Sequence, residues 1–354
     1  LEQSLYASGE YADLKKAERI FENRNVDEVK LYEKYNIPYP ANEKYALGVK
    51  LYAPVGSSGY SKLAFDLIKC LLRKQVNVEF VPLSYYKVCE YDEEYLDIIS
   101  FCMGIKLHSP KHILFHTPEI VDDVVKKYIG GEESISVITM WETTRLPKKW
   151  ISFLNNKRID KIIVPCNYNR QVFEVAGKPV AVFNFPISKM EVTSNELQYE
   201  YLRNKQTYKF YNISEYNNRK GVYELIEAFS NVFAGNSDVK LIIKTSPCGS
   251  TKEALQEFII DKFTSDLLEN VHVIYDNISD EEIKYIHESC DCYVSLTKSE
   301  ALGLGAIQAA MHFNPIIITG YSGLLDYVPY CTFLDYKIIP SIFCPEIDCG
   351  KCES

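Results

Sequence analysis

The chain has 354 residues, of which 47% are hydrophobic and 25% charged, and a formal net charge of −9. That length exceeds one ordinary core, so two domains are expected, and the apolar content excludes a disordered chain. The acidic balance excludes a nucleic-acid binder, because neutralising phosphates needs a basic face.

Residues 1–45 are charged and partly helix-periodic, which predicts a helical extension packed outside the core. The apolar segment Ala46–Ala53 then reads as a strand, followed by Gly56-Ser57-Ser58-Gly59 and a helix over Tyr60–Arg73. Leu63, Ala64, Leu67, Ile68, Leu71 and Leu72 carry the helical spacing there. Val76–Leu83 is rich in β-formers, and further strands are predicted at Ile113–Phe115, Ser136–Met140, Lys161–Pro165 and Val180–Phe185. Lys148, Lys149, Lys157, Arg158 and Lys161 gather around Trp150, a pattern that fits either a membrane-facing surface or a solvated helix face.

The polar run from Ser188 to Gln206 breaks the rhythm and sets the domain boundary, with domains over 46–187 and 188–354. Strands are then predicted at Tyr208–Ile213, Val239–Thr245, Val271–Tyr275, Cys292–Leu296 and Pro315–Thr319. Helices alternate with them at Gly221–Phe233, Lys252–Phe263, Asp280–Ser289 and Gly303–His312. Such alternation means crossover units and parallel sheets buried on both faces. The expected fold class is α/β, two Rossmann-like doubly wound domains, with ligands in a central cleft at the carboxyl edges of the sheets.

No apolar run approaches the roughly 18 residues of a spanning helix, and no signal peptide is visible. Most of the eleven cysteines lie singly in apolar segments, as buried thiols of a reducing compartment do, so a cytoplasmic location is expected. The start at Leu1 reads as a fragment or a trimmed chain. Near the end, Cys331, Cys344, Cys349 and Cys352 leave two readings open, a structural zinc site or free thiols.

The chemistry concentrates in Ser299-Glu300-Ala301-Leu302-Gly303-Leu304-Gly305-Ala306-Ile307-Gln308, which follows a predicted strand and opens a helix. Free N–H groups and the helix dipole at such a start attract an anion such as a diphosphate. Gly303 and Gly305 let a ligand approach the backbone, Glu300 can accept hydrogen bonds from sugar hydroxyls, and Gln308 lies further along the helix. Asn314-Pro315-Ile316-Ile317-Ile318-Thr319-Gly320-Tyr321-Ser322-Gly323 follows as a proline-led strand and glycine loop.

This stretch resembles the donor signature of the family-4 retaining glycosyltransferases, which have the GT-B fold: Glu, seven residues, Glu, entering a helix. The resemblance implies that Glu300 contacts the transferred sugar and that Ala301, Leu302, Gly303 and Leu304 hold sugar and phosphate. The family's second, ribose-binding acid is an amide here, Gln308, which can still donate and accept but makes weaker contacts. Asn217-Asn218-Arg219-Lys220-Gly221 is similar to the family's phosphate-binding turn, which makes Lys220 the leaving-group cation. The arginine often found a few residues earlier is replaced by Ser214 or Glu215, so a second cation is missing unless Arg219 supplies it.

By the same resemblance Gly59 belongs to a first glycine loop, His116 ends a strand close to the transferred sugar, and Thr245 and Ile278 join the donor contacts. Tyr60 and Glu142, the latter within Met140-Trp141-Glu142-Thr143-Thr144-Arg145-Leu146-Pro147, fall on the acceptor side. A structural histidine at 116 and a helix-start acid at 142 fit those residues equally. The implied activity is retaining, metal-independent transfer of a hexose-type sugar from a UDP- or GDP-linked donor to a glycan, protein or lipid hydroxyl, with the nucleotide sugar as co-substrate and no cofactor. A non-catalytic nucleotide-sugar binder and an epimerase on the same fold are the alternatives.

Overall fold

The computed structural model describes residues 19–21, 24–39, 48–56, 58–85, 92–187, 199–245, 253, 260, 270–275 and 278–339. They divide into two compact units. The expected extension over 1–18 and most of the Lys252–Phe263 helix lie outside the described residues, as do Ser57, Cys344, Cys349 and Cys352.

In the first unit the elements run α1 (Glu28–Lys34), β1 (Gly48–Val55), α2 (Gly59–Arg73), β2 (Asn77–Tyr85), α3 (Glu93–Gly104) and β3 (Lys111–Phe115). They continue with α4 (Val121–Tyr128), β4 (Ile135–Ile138), α5 (Lys148–Leu154), β5 (Ile159–Val164), α6 (Asn167–Phe173) and β6 (Val180–Val182). All six strands pair in parallel in the order β2-β1-β3-β4-β5-β6. The helix predicted after β1 starts at the Ser58 cap and buries Leu63, Ala64, Leu67, Ile68 and Leu72, the apolar stripe that its spacing called for.

The described part of the N-terminal extension buries Phe21, Leu31, Tyr32 and Ile37. Asp97 on α3 anchors the segment by accepting from Arg24 at 2.6 Å, Lys34 at 3.1 Å and Tyr35 at 2.6 Å. Of the two readings of the lysines around Trp150, the membrane-facing one does not fit Trp150 itself, which is 3% exposed and donates its indole N–H to Glu119 at 2.5 Å. Lys148 and Lys149 are exposed beside it, the solvated-face reading. No helix among the described residues is long and apolar enough to cross a membrane.

The second unit carries α7 (Glu200–Arg203), β7 (Tyr208–Ile213), α8 (Val222–Phe233), β8 (Val239–Lys244), β9 (Val271–Ile274) and α9 (Asp280–Ser289). After these come β10 (Cys292–Ser295), α10 (Leu304–Met311), β11 (Ile316–Thr319), α11 (Leu324–Tyr327) and β12 (Thr332–Leu334). The sheet is again parallel, in the order β12-β11-β10-β7-β8-β9. Val222, Leu225, Ile226 and Phe229 of α8 recur at helical spacing and pack on Leu241, Ile243, Cys292 and Val294 of the sheet. The turns 141–146 and 166–169, although early in the chain, group with this unit.

Most of the predicted strands stand with their ends shifted. The strand predicted to Met140 stops at Ile138, because the Met140 N–H turns away to donate to the Tyr60 hydroxyl at 3.2 Å. The strand predicted to Phe185 ends at Val182. β12 was not anticipated; three residues, two of them exposed, carry too short a pattern to read.

Candidate functional site

In each unit the strand order reverses direction once, between β1 and β3 in the first and between β7 and β10 in the second. Crossover helices on the two sides of such a point lie on opposite faces, and the loops leaving the strand ends there enclose a crevice. β7 and β10 pair only through Phe210 with Cys292 and Tyr211 with Tyr293. Beyond that the ladder opens, and the Asn212 side-chain amide donates to the Val294 carbonyl at 2.7 Å, replacing a lost backbone partner.

Two loops leave this crevice. After β7 the Asn217 side chain accepts from the Lys220 N–H at 3.0 Å and winds Asn218–Lys220 into one tight turn. Gly221 ends that turn with φ at 65°, where an added Cβ would overlap the Leu296 carbonyl oxygen of the neighbouring loop. After β10 the loop is stitched to the first one: the Lys298 N–H donates to the Arg219 carbonyl at 2.8 Å, and Thr297 Oγ1 donates to the same oxygen at 3.3 Å. In return Arg219 Nη1 donates to the Ser299 carbonyl at 2.8 Å. Each loop therefore supplies the other's polar partners.

The stitching brings Lys220, Arg219 and Glu300 together. Lys220 Nζ lies 2.5 Å and Arg219 Nη1 3.3 Å from Glu300 Oε2. All three side chains are mostly buried, at 18%, 20% and 13% exposure. Burial alone would push the Glu300 carboxyl up, but the Lys220 and Arg219 charges prevail and hold it below the ordinary carboxylate range. For Arg219 burial works against the charge, and Glu300 and Glu142 outweigh it. Arg219 thus stands as a second cation beside Lys220, both against Glu300.

Glu142 joins this cluster from the turn over 141–146. Its Oε1 stands 3.9 Å from Arg219 Nη2. Its carbonyl accepts from Ser299 Oγ and, at 3.2 Å, from the Tyr168 hydroxyl. The sequence reading put Glu142 toward an acceptor; the structure sets its carboxylate beside the residues expected to hold the donor.

α10 begins at Leu304, preceded by Ala301 and Leu302, both buried, and by Gly303. The Glu300 N–H donates to Ser322 Oγ at 3.1 Å, and the Gly323 N–H to the Glu300 carbonyl at 3.0 Å, so the loop after β11 braces the site. Among the described residues no hydrogen bond is made by the N–H groups from Ala301 to Gly305. They remain available to an anion at the helix start. Gln308 lies one turn into α10 and is 7% exposed. Thr245 directly follows β8, its N–H donating to the Ile274 carbonyl at 2.9 Å, and Ile278 precedes the Ser279 cap of α9.

In the first unit Gly59 and Tyr60 open α2 after β1, and His116 directly follows β3, so all three lie at that unit's own reversal point. The Tyr60 and His116 rings stand 6.2 Å apart. The Thr117 N–H donates to His116 Nδ1 at 2.8 Å, which leaves the ring proton on Nε2, and burial holds the ring below the usual histidine range. His116 is therefore a neutral Nε2–H donor.

Three residues of the quoted motifs carry roles that the pattern did not assign: Asn217, which shapes the Lys220 turn, and Ser299 and Ser322, which fix the Glu300 loop. Asn217 stood in the open as an Asn two residues before a basic pair and glycine; the two serines had no signal beyond adjacency. A cavity of about 620 Å³, lined in part by Arg203, Lys209, Tyr285 and Asp291, lies at the opposite, amino-terminal edge of this sheet. Lys209 there donates to the Asn204 carbonyl at 2.5 Å, a structural tie.

Residues 194–329 match the family described as Glycosyl transferases group 1. No curated protein sequence matches the chain. Among solved structures, one described as "Trehalose-6-phosphate from E. coli bound with UDP-2-fluoro glucose" aligns at a TM-score of 0.60 and 8% identity, over 81% of this chain and 87% of that one. "Trehalose-6-phosphate synthase. OtsA" aligns at 0.53 and 9% identity, over 64% of this chain and 61% of that one. TarM aligns at 0.49 and 16% identity, over 64% of this chain and 45% of TarM. The chain thus spans less than two thirds of TarM and of the structure named OtsA. At these identities the likeness establishes the fold: GT-B, two parallel six-stranded sheets with helices.

Proposed function

We propose that the protein transfers a hexose-type sugar from a nucleoside-diphosphate sugar to an acceptor hydroxyl, with retention at the anomeric carbon. The observation that carries this reading is the Lys220–Arg219–Glu300 cluster at the reversal point of the second sheet, inside the segment that matches the group 1 glycosyl transferases. Breaking the anomeric bond places negative charge on the departing diphosphate. Two cations and the α10 N-terminus, already gathered at one point, meet that charge. Glu300 is ionised and buried, so it can accept from the sugar hydroxyls while it keeps Lys220 in place. The acceptor hydroxyl passes its proton to the departing phosphate on the same face. Charge stabilisation by lysine and arginine serves where another enzyme would use a metal ion.

A second reading, a non-catalytic nucleotide-sugar binder, rests on one observation: a buried amide, Gln308, stands where an acid binds the ribose in the resembled family. A thermal-shift screen against UDP, GDP, ADP and their sugars separates these readings together with a transfer assay. Selective stabilisation by one nucleotide is expected, since a ligand that binds only the native state raises the midpoint. UDP-glucose is the first donor to test, given the ligand of the E. coli structure. Binding with donor left intact after long incubation with many acceptors would favour the binder. No stabilisation by any nucleotide would reject both.

A further inference from the structure

The donor cluster holds two carboxylates against two cations, and the mechanism above uses only one of the carboxylates. The other, Glu142, is anchored by its main chain: Ser299 Oγ and the Tyr168 hydroxyl both donate to its carbonyl. Ser299 adjoins Glu300, so the Glu142 backbone is tied to the donor loop. The carboxylate stands 3.9 Å from Arg219 Nη2, too far for a tight bidentate pair, whereas Nη1 is committed to Ser299 and Glu300. Nη2 is thus the edge of the guanidinium that an incoming phosphate can take.

We propose that Glu142 is a positioning residue that holds the Nη2 edge of Arg219 before the donor binds and gives it up to the donor's diphosphate. The inference rests on the donor-site reading. A diphosphate brings further negative charge into a cluster that is already balanced, so the carboxylate must swing away or take up a proton. The groups facing it are Arg219 and Lys220 from the β7–α8 loop, Glu300 from the β10–α10 loop and Tyr168 from α6. Burial raises its proton affinity, Arg219 and Lys220 oppose that, and Glu300 adds to it; the net direction is upward. Protonation of Glu142 therefore releases Arg219, and donor affinity rises as pH falls.

The test is calorimetric titration of UDP-glucose into the wild type, Glu142→Gln and Glu142→Ala between pH 8 and pH 5, with thermal unfolding to check that each variant is folded. Both substitutions keep the main-chain carbonyl. The expected result is binding about fivefold tighter in each variant at pH 8, the scale of one partly screened charge. Wild-type affinity is expected to climb toward the variants as pH falls, and the variants to stay flat. Unchanged or weaker binding in both variants, or the wild-type pH slope retained in them, overturns the proposal and leaves the donor site standing. If UDP-glucose does not bind the wild type, GDP-mannose and ADP-glucose are titrated in the same way. A wild type that binds none of the three defeats the donor-site reading, and this inference with it.

Discussion

Lys220→Ala is expected to lower kcat for sugar transfer by about 10²–10³-fold, the cost of losing one preorganised charge-stabilising donor. The fold should survive, because Glu300 keeps Arg219 at 3.3 Å and no buried carboxylate is left unpaired. Glu300→Ala is expected to be equally damaging for another reason: Lys220 and Arg219 lose the acid that holds them, and the sugar loses its acceptor. Steady-state kinetics with the donor selected by the thermal-shift screen, beside circular dichroism of each variant, checks both. Full turnover in the two variants would remove the site from this cluster.

The second large effect concerns folding. Gly221→Ala is expected to destabilise the protein by about 3 kcal/mol or more, combining the left-handed penalty with a forced backbone displacement. Gly221 has φ at 65°, and a methyl there would collide with the Leu296 carbonyl, which cannot rotate away as a side chain could. Gly177 is the control: it has the same φ of 65°, but nothing lies within 4 Å of its would-be Cβ. Gly177→Ala should therefore cost only about 1 kcal/mol, the conformational term alone. Denaturant midpoints of the two variants decide the matter; equal losses would show that the contact with Leu296 carries no cost. Because Gly221 joins the Lys220 turn to α8, its variant should also lose donor binding ahead of global unfolding.

Much of the molecule is legible in the chain itself. Alternating apolar strands and helix-spaced segments define an α/β fold, and Tyr208–Ile213 and Asp280–Ser289 appear with the very bounds their patterns predicted. These elements are legible because period and capping are local properties: Ser279 and Glu282 alone make the capping box that starts α9. Glu300, Lys220 and the glycines were legible as well, since a strand-loop-helix turn keeps its residues within a dozen positions.

What the local pattern could not carry was any pairing across distance. That Arg219 stands beside Glu300, 81 residues away, depends on β7 and β10 becoming neighbours at the reversal point. That Glu142 belongs with them depends on a turn in the first half of the chain packing with the second unit. The lysines around Trp150 left two readings open for the same reason, because a membrane face and a solvated helix face look alike until the Trp150 indole finds Glu119. By itself the sequence determined the elements and the chemical types at the strand ends. Only the tertiary structure decided which charges face one another, because strand order, and not sequence spacing, sets those distances.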